Sequence, residues 1–154
     1  QLTLSLIGLF IFMMAGKEYD QTKMLALLYN TTVGEIMRTS FTKLHLSDNY
    51  TTVIEKYYRE GEQNFLIFDS MGNVSGTIPE LFIKDTIKNK TQDKSVNQMM
   101  SSKIASVSPG DNLKDIIELM RNEGVAIVSV EDHNQLVGVL DRNQIENYLR
   151  LKSE

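Results

Sequence analysis

The order of apolar and polar positions in residues 33–69 recurs in residues 96–132. Identical residues fall at a constant offset of 63 positions, namely at Val33/Val96, Met37/Met100, Asp48/Asp111, Asn49/Asn112, Ile54/Ile117, Glu55/Glu118, Glu60/Glu123, Gly61/Gly124 and Asp69/Asp132. After a slip of one residue in a turn, Gly76 aligns with Gly138. A self-similarity of this length indicates two copies of one structural unit.

A helix near the start of each copy is marked by caps and by apolar residues at helical spacing. In the first copy, Ser47, Asp48 and Asn49 are good N-caps and Gly61 is a good C-cap. The apolar residues between them recur every three to four positions, which is the period of one helix face. The run GDNLKDIIELMRNEG, which ends at Gly124, repeats this pattern in the second copy.

Short apolar runs after each helix predict a β-hairpin. NFLIFD and VSGTI flank the turn SMGN in the first copy, and VAIVSVED and LVGVL flank HNQ in the second. A closing helix follows, PELFIKDTIKNK with Pro79 in its first turn and DRNQIENYLRLK with Asp141 as N-cap. The short runs TKLHL and KIASVS predict a strand before the first helix. The predicted fold class is therefore α/β (α+β), with two β-α-β-β-α units that pack together because neither can bury its sheet alone.

The first 16 residues carry no charge and would leave a helix without a polar face. Such a helix must be buried in protein or in lipid. A membrane span needs roughly 20 apolar residues, so we interpret this shorter run as the end of a membrane helix that begins upstream of Gln1. A buried core helix is the alternative, whereas the basic region and cleavage site of a signal peptide are missing.

Charged residues begin directly after the apolar run. Lys17 and Lys23 favour a cytoplasmic side for the chain that follows. The stretch QTKMLALLYN predicts a linker helix before the repeat. The predicted organisation is an apolar helix with its linker helix over residues 1–31, a first unit over 32–92 and a second unit over 93–154.

Composition and missing motifs exclude several classes of function. The net charge is −4, without a basic stripe, so a nucleic acid polymer is not an expected partner. Cysteine is absent, which excludes disulfides and thiolate metal sites. The histidines, His45 and His133, lie far apart, and the sequence has no H-E-x-x-H, P-loop, G-x-G-x-x-G or G-x-S-x-G. We therefore predict no catalytic residue, no metal ligand and no enzyme activity in this chain.

The duplicated unit resembles the CBS domain pair, or Bateman module. The resemblance rests on V-x-x-h-M in Val33-Gly-Glu-Ile-Met37 and Val96-Asn-Gln-Met-Met100, and on G-h-h-x-x-x in GTIPEL and GVLDRN. It covers about Thr32 to Lys152. It implies a regulatory and dimerisation module, with a homodimer formed through the CBS units and the N-terminal helix. Candidate contact residues are Tyr57, Tyr58, Phe82, Ile83, Tyr148 and Leu149, for most of which core burial is the alternative.

The front of the chain is similar to the C-terminal region of bacterial site-2 proteases, which are intramembrane zinc metalloproteases. LIGLFIFMMAGKEYD, the linker helix and the first CBS unit follow one another in the same order. The resemblance implies a membrane-attached parent protein whose zinc ligands lie upstream of Gln1, with this module on the cytoplasmic side. Chloride channels and magnesium transporters, which also carry CBS pairs after membrane helices, remain alternatives.

Sensing of an adenosine nucleotide is the alternative function that the resemblance implies. CBS pairs bind such compounds in clefts between the units through G-h-h-[TS]-x-x-[DN], in which the hydroxyl meets phosphate near a helix N-terminus and the last residue binds ribose. In the first unit these positions hold Pro79 and Phe82, and in the second Asp141 and Gln144. Both departures argue against a typical nucleotide site.

The cleft of the second unit keeps more of the family pattern than the first. Its candidate residues are Gly138, Asp141, Arg142 and Gln144. Arg142 would offset the charge of Asp141, which would otherwise repel a phosphate. A plain helix cap is the alternative role for Asp141. No other cofactor is expected in this chain.

Overall fold

The computed structural model describes residues 4–8, 21–90 and 94–152. Residues 4–8 (α1) and Gln21–Asn30 (α2) are helical and precede the repeat. Unit 1 contains α3 (Val33–Ile36), β1 (Lys43–His45), α4 (Tyr50–Glu60), β2 (Phe65–Phe68), β3 (Val74–Ile78) and α5 (Glu80–Lys88). Unit 2 contains α6 (Val96–Met99), β4 (Ser106–Val107), α7 (Leu113–Glu123), β5 (Ile127–Asp132), β6 (Gln135–Asp141) and α8 (Arg142–Lys152). The predicted β-α-β-β-α order is present in both units, each preceded by a single helical turn.

Each unit holds a three-stranded sheet of the same topology. The strand orders are β1-β2-β3 and β4-β5-β6. The first two strands of each sheet run parallel and the hairpin strands run antiparallel. In unit 2 the hairpin turns at His133 and Asn134, whose φ angles of 49° and 63° suit a two-residue turn of the primed type.

The helix caps follow the local sequence. The side chain of Asn49 accepts the Thr52 N–H at the start of α4, and Gly61 ends that helix with a φ of 69°. Asn112 and Gly124 do the same for α7. Pro79 lies at the N-cap of α5, one position before the predicted first turn.

Each unit begins with a segment that pairs with the other unit. We call residues 32–38 and 95–101 the leading segments of units 1 and 2. Arg38 forms a β-bridge with Val139 of unit 2, and Ser101 forms the equivalent bridge with Thr77 of unit 1. Each leading segment therefore crosses to the other unit, and the two units are related by approximate twofold symmetry.

The two sheets also pack against each other. Their shared cluster contains Leu66 and Phe68 from β2 with Ile127 from β5 and Val139 from β6. All four side chains are at most 3% exposed. This interface explains why β2 and the equivalent part of β5 are buried on both faces, and it confirms that the units pack together.

Helix α2 and the described part of the apolar N-terminal run cover unit 2. Leu6, Ile7, Met24 and Leu28 are buried in one cluster with the apolar face of α7. Most of the predicted membrane helix, residues 1–3 and 9–16, lies outside the described residues. No helix within the described ranges combines the length and apolarity that crossing a membrane requires.

The structure separates the predicted contact residues into core and surface. Ile83 and Leu149 are 0% and 1% exposed and fill the cores of units 1 and 2, so the prediction of a contact surface is wrong for them. Tyr57 and Tyr148 are half-buried. Tyr58 and Phe82 remain exposed, at 67% and 38%.

Removal of the α2 contact is expected to destabilise the protein. Leu28 is 1% exposed and packs in the cluster of unit 2, so Leu28→Ala should lower the free energy of unfolding by about 2–4 kcal/mol. Leu81→Ala, at a leucine that is 73% exposed on α5, is the matched control and should change it by less than about 0.5 kcal/mol. Urea denaturation measures both, and equal losses would show that α2 adds nothing to the folded core.

Candidate ligand cleft

The candidate cleft of unit 2 lies where the leading segment of unit 1 crosses β6. Arg38 and Val139 exchange two backbone hydrogen bonds of 2.9 Å at this crossing. A Cβ atom on Gly138 would lie 2.7 Å from the carbonyl oxygen of Arg38 and 3.1 Å from Sδ of Met37. Gly138 is therefore required for the close approach of the leading segment to β6. Gly76 has the same role opposite Ser101, at 2.6 Å.

Asp141 and Gln144 form a reciprocal cap at the start of α8. Oδ1 of Asp141 accepts the backbone N–H of Gln144 at 2.8 Å, and Oε1 of Gln144 accepts the backbone N–H of Asp141 at 2.9 Å. Nε2 of Gln144 also donates to the carbonyl oxygen of Ile36 in the leading segment of unit 1. The carboxylate of Asp141 thus occupies the helix N-terminus at which a phosphate would otherwise bind.

Two residues that the sequence analysis missed complete this cluster. Nδ2 of Asn64, a side chain only 2% exposed, donates to Oδ2 of Asp141 at 3.2 Å. Nη2 of Arg38 lies 3.6 Å from the same oxygen. Both come from unit 1, so three unit 1 positions, counting the Ile36 carbonyl, meet the start of α8.

Arg142 does not offset the charge of Asp141 by direct contact. Its side chain is exposed, and the ion pair to Asp141 comes from Arg38 instead. The charge of Arg142 instead affects the pKa of Glu146, which lies one turn further along α8. Burial raises the pKa of Glu146, while the charges of Arg142 and Arg150 oppose that rise. The structure therefore brings Gly138, Asp141 and Gln144 together and leaves Arg142 on the rim.

The equivalent cleft of unit 1 has fewer backbone donors to offer an anion at the start of its helix. Pro79 has no N–H to offer at the start of α5, and the next N–H, of Glu80, donates to Oδ1 of Asn64 at 3.0 Å. Oε2 of Glu80 accepts the hydroxyl of Tyr57 at 3.1 Å. Burial, together with this hydrogen bond, raises the pKa of Tyr57. Asn64 thus links the two clefts, because its side-chain oxygen accepts the first N–H of α5 and its side-chain nitrogen donates to Asp141.

Neither histidine lies in the cleft. His45 is in β1, and His133 is in the turn of the second hairpin. Over residues 4–8, 21–90 and 94–152, no group of three or more histidine, aspartate or glutamate side chains is arranged to hold a metal ion.

The sequence contained one signal for Arg38 and none for Asn64. Arg38 directly follows Met37, the last residue of the V-x-x-h-M motif, so it belongs to the leading segment. Asn64 is the first residue of the predicted strand NFLIFD and looks like an ordinary polar residue at the start of a strand. Its partner Asp141 is 77 residues away, so only the packing of the two units reveals the contact.

Comparison with known proteins agrees with the topology described above. Residues 96–150 match the family model of the CBS domain. The fold is that of a tandem CBS domain pair. None of the curated proteins matches the chain in sequence.

Three solved CBS structures illustrate the likeness in fold. The CBS domain pair of protein MJ0100, in complex with 5′-methylthioadenosine and S-adenosylmethionine, superposes with a TM-score of 0.67 at 16% identity, over 79% of this chain and 98% of its own. CBSX2 in complex with AMP superposes with a TM-score of 0.60 at 20% identity, over 80% and 99%. A putative signal-transduction protein from Burkholderia ambifaria reaches 0.69 at 16%, over 80% and 97%. Identities this low support the CBS pair fold alone.

Proposed function

We propose that this CBS pair is a regulatory module without catalytic activity that binds an adenosine compound in the cleft of unit 2. The observation that carries the proposal is the crossing of the leading segment over β6, which collects Arg38, Asn64, Asp141 and Gln144 from both units. A ligand held between residues of two units changes their relative packing. Such coupling is what a sensor requires, because binding shifts a protein only through contacts that differ between its states.

The solved relatives supply the ligand class. Two of the structures with this fold hold AMP, or 5′-methylthioadenosine with S-adenosylmethionine. We assign one site to each chain, because the cleft of unit 1 has Pro79 at the helix start and Phe82 at the ribose position. Asn64 also consumes the first N–H of α5.

Binding is tested by thermal denaturation and calorimetry of the chain with AMP, ATP, S-adenosylmethionine and 5′-methylthioadenosine. A ligand at 100 times its Kd should add about 2.7 kcal/mol to the free energy of unfolding. We expect at least one adenosine compound to do so, with a stoichiometry of one per chain. If all four leave the melting temperature unchanged at millimolar concentration, the chain is a scaffold rather than a sensor.

A membrane protein of the site-2 protease type remains our proposal for the parent. It rests on the resemblance of residues 1–31, and the comparisons do not bear on it. The placement on the cytoplasmic side follows from the same proposal. The coding sequence upstream of Gln1 tests it, since an H-E-x-x-H motif on an apolar helix supports a protease and a channel or transporter core excludes it.

Association of two copies also remains a proposal. The apolar face of α7 is covered by α2, whereas the equivalent face of α4 has no such helix over it among the described residues and leaves a groove of about 530 Å³, lined by Tyr50, Thr51, Ile54, Glu55, Tyr58 and Arg59. Sedimentation of the whole chain tests it, with Tyr58→Ser expected to shift a dimer towards monomer.

A further inference from the structure

The backbone of Arg38 is fixed by hydrogen bonds, whereas two nitrogens of its guanidinium group lack a hydrogen-bond partner. Its N–H and C=O both bond to Val139, so the start of the side chain cannot move away from β6. The side chain as a whole is 27% exposed. Nε and Nη2, however, are both buried and have no hydrogen-bond partner within the described residues.

Nε and Nη2 form one edge of the planar guanidinium, and their N–H bonds point in the same direction. This edge is the fork that binds two oxygens of a carboxylate or phosphate at once. Asp141 does not satisfy it, because 3.6 Å between Nη2 and Oδ2 is too long for a hydrogen bond. A buried fork without a partner costs free energy that a bound oxyanion would recover.

Asp141 does not depend on Arg38 for its hydrogen bonds. Oδ1 accepts the Gln144 N–H, and Oδ2 accepts the Asn64 amide. The guanidinium can therefore bind a ligand without leaving the carboxylate bare. The helix N-terminus of α8 is already capped by Asp141, whereas the fork of Arg38 is a donor that remains available for an anion in this cleft.

We propose that Arg38, contributed by unit 1, is the residue that makes the unit 2 cleft select adenosine compounds carrying an oxyanion. The shared chemistry is a phosphate or a carboxylate, since either offers two oxygens to the fork. A neutral adenosine compound leaves the fork unpaired and binds more weakly. This proposal rests on the binding function proposed above and adds the group that decides among ligands.

Calorimetry with three probes tests this selection. AMP carries a phosphate, S-adenosylmethionine carries a carboxylate and 5′-methylthioadenosine carries no oxyanion. We expect one or both of the probes that carry an oxyanion to bind at least about tenfold more tightly than 5′-methylthioadenosine. The comparison between AMP and S-adenosylmethionine distinguishes phosphate from carboxylate.

Variants then assign the preference to Arg38. Arg38→Gln should weaken binding of the preferred oxyanion-bearing probe by about 30-fold and change binding of 5′-methylthioadenosine by less than about threefold. Arg38→Lys keeps the positive charge beside Asp141, and hence the fold, but it loses the fork. It should weaken binding of that probe by about tenfold. Arg121→Gln, which removes the same charge from an exposed position in the last turn of α7, is the control.

The outcomes separate this proposal from the function on which it rests. Equal binding of all three probes, or an anion preference that survives both Arg38 variants, overturns the role of Arg38 and leaves the binding function intact. If the preference is lost in Arg142→Gln instead, the role belongs to Arg142 and the proposal for Arg38 is overturned. If none of the three probes binds the unaltered chain, the binding function itself is wrong.

Discussion

Gly138→Ala is expected to lower the free energy of unfolding by about 2–3 kcal/mol, because the new methyl group has no room. Its Cβ would lie 2.7 Å from the carbonyl oxygen of Arg38, which belongs to backbone and cannot rotate away. The leading segment must then shift off β6 and strain both bonds between Arg38 and Val139. Gly76→Ala should have a similar effect at the equivalent crossing, where the distance to the Ser101 oxygen is 2.6 Å.

Urea denaturation with a matched control measures this effect. A Cβ on Gly110 would meet no atom within 4 Å, and this glycine does not require a left-handed backbone, so Gly110→Ala should be neutral or slightly stabilising. The m-value should stay unchanged in all three variants, since the surface exposed on unfolding is the same. Equal stability of Gly138→Ala and Gly110→Ala would contradict the tight crossing of the leading segment.

Asn64→Asp is expected to have the second large effect, lowering the free energy of unfolding by about 3 kcal/mol at pH 8. The substitution preserves shape and still accepts the Glu80 N–H, but it replaces the donor to Asp141 with a second buried carboxylate. The side-chain nitrogen of Asn64 lies only 3.2 Å from Oδ2 of Asp141. The Arg38 guanidinium, at 3.6 Å from that oxygen, offsets only part of the added charge.

The loss should depend on pH in a defined direction. Repulsion by the carboxylate of Asp141 raises the folded-state pKa of the introduced carboxylate above its unfolded value of about 4. The destabilisation is then full above the raised pKa and is relieved as the pH falls through it, because a proton removes one of the two charges. The free energy of unfolding should be measured from pH 8 to pH 5. The difference between the variant and the unaltered chain should become smaller as the pH falls.

Two further variants control this result. Asn147→Asp makes the same chemical change on the exposed side of α8 and should shift stability by less than about 0.5 kcal/mol. Adding Asp141→Asn to Asn64→Asp reverses the donor and acceptor and should recover about 1–2 kcal/mol. A loss that is independent of pH and is not recovered in the double variant would mean that the Asn64–Asp141 contact carries little of the effect.

Local signals accounted for the secondary structure because each acts over a few residues. Asn49 and Gly61 delimit α4 as capping chemistry predicts, and His133 and Asn134 form the second hairpin turn. The predicted α/β fold with two packed units is confirmed by the topology and by the structures that superpose on it. The repeat strengthened these predictions, since each element could be recognised twice.

Burial was predicted less well, because a helix period does not say which neighbour covers which face. Ile83 and Leu149 were candidate contact residues, yet both lie in the cores. The faces of α4 and α7 have the same pattern, but α2 covers only α7. The difference comes from a segment outside the repeat, which the pattern within each unit cannot specify.

The sequence by itself determined the duplicated unit, its order of elements, its caps and its turns, since these depend on neighbouring residues. It also placed Asp141 at the start of α8. Only the tertiary structure decided what surrounds Asp141, because the leading segment of unit 1 crosses to unit 2 and brings Arg38 beside it. Asn64 arrives from 77 positions away by the same packing. The cleft is thus a product of contacts between units, which no local pattern records.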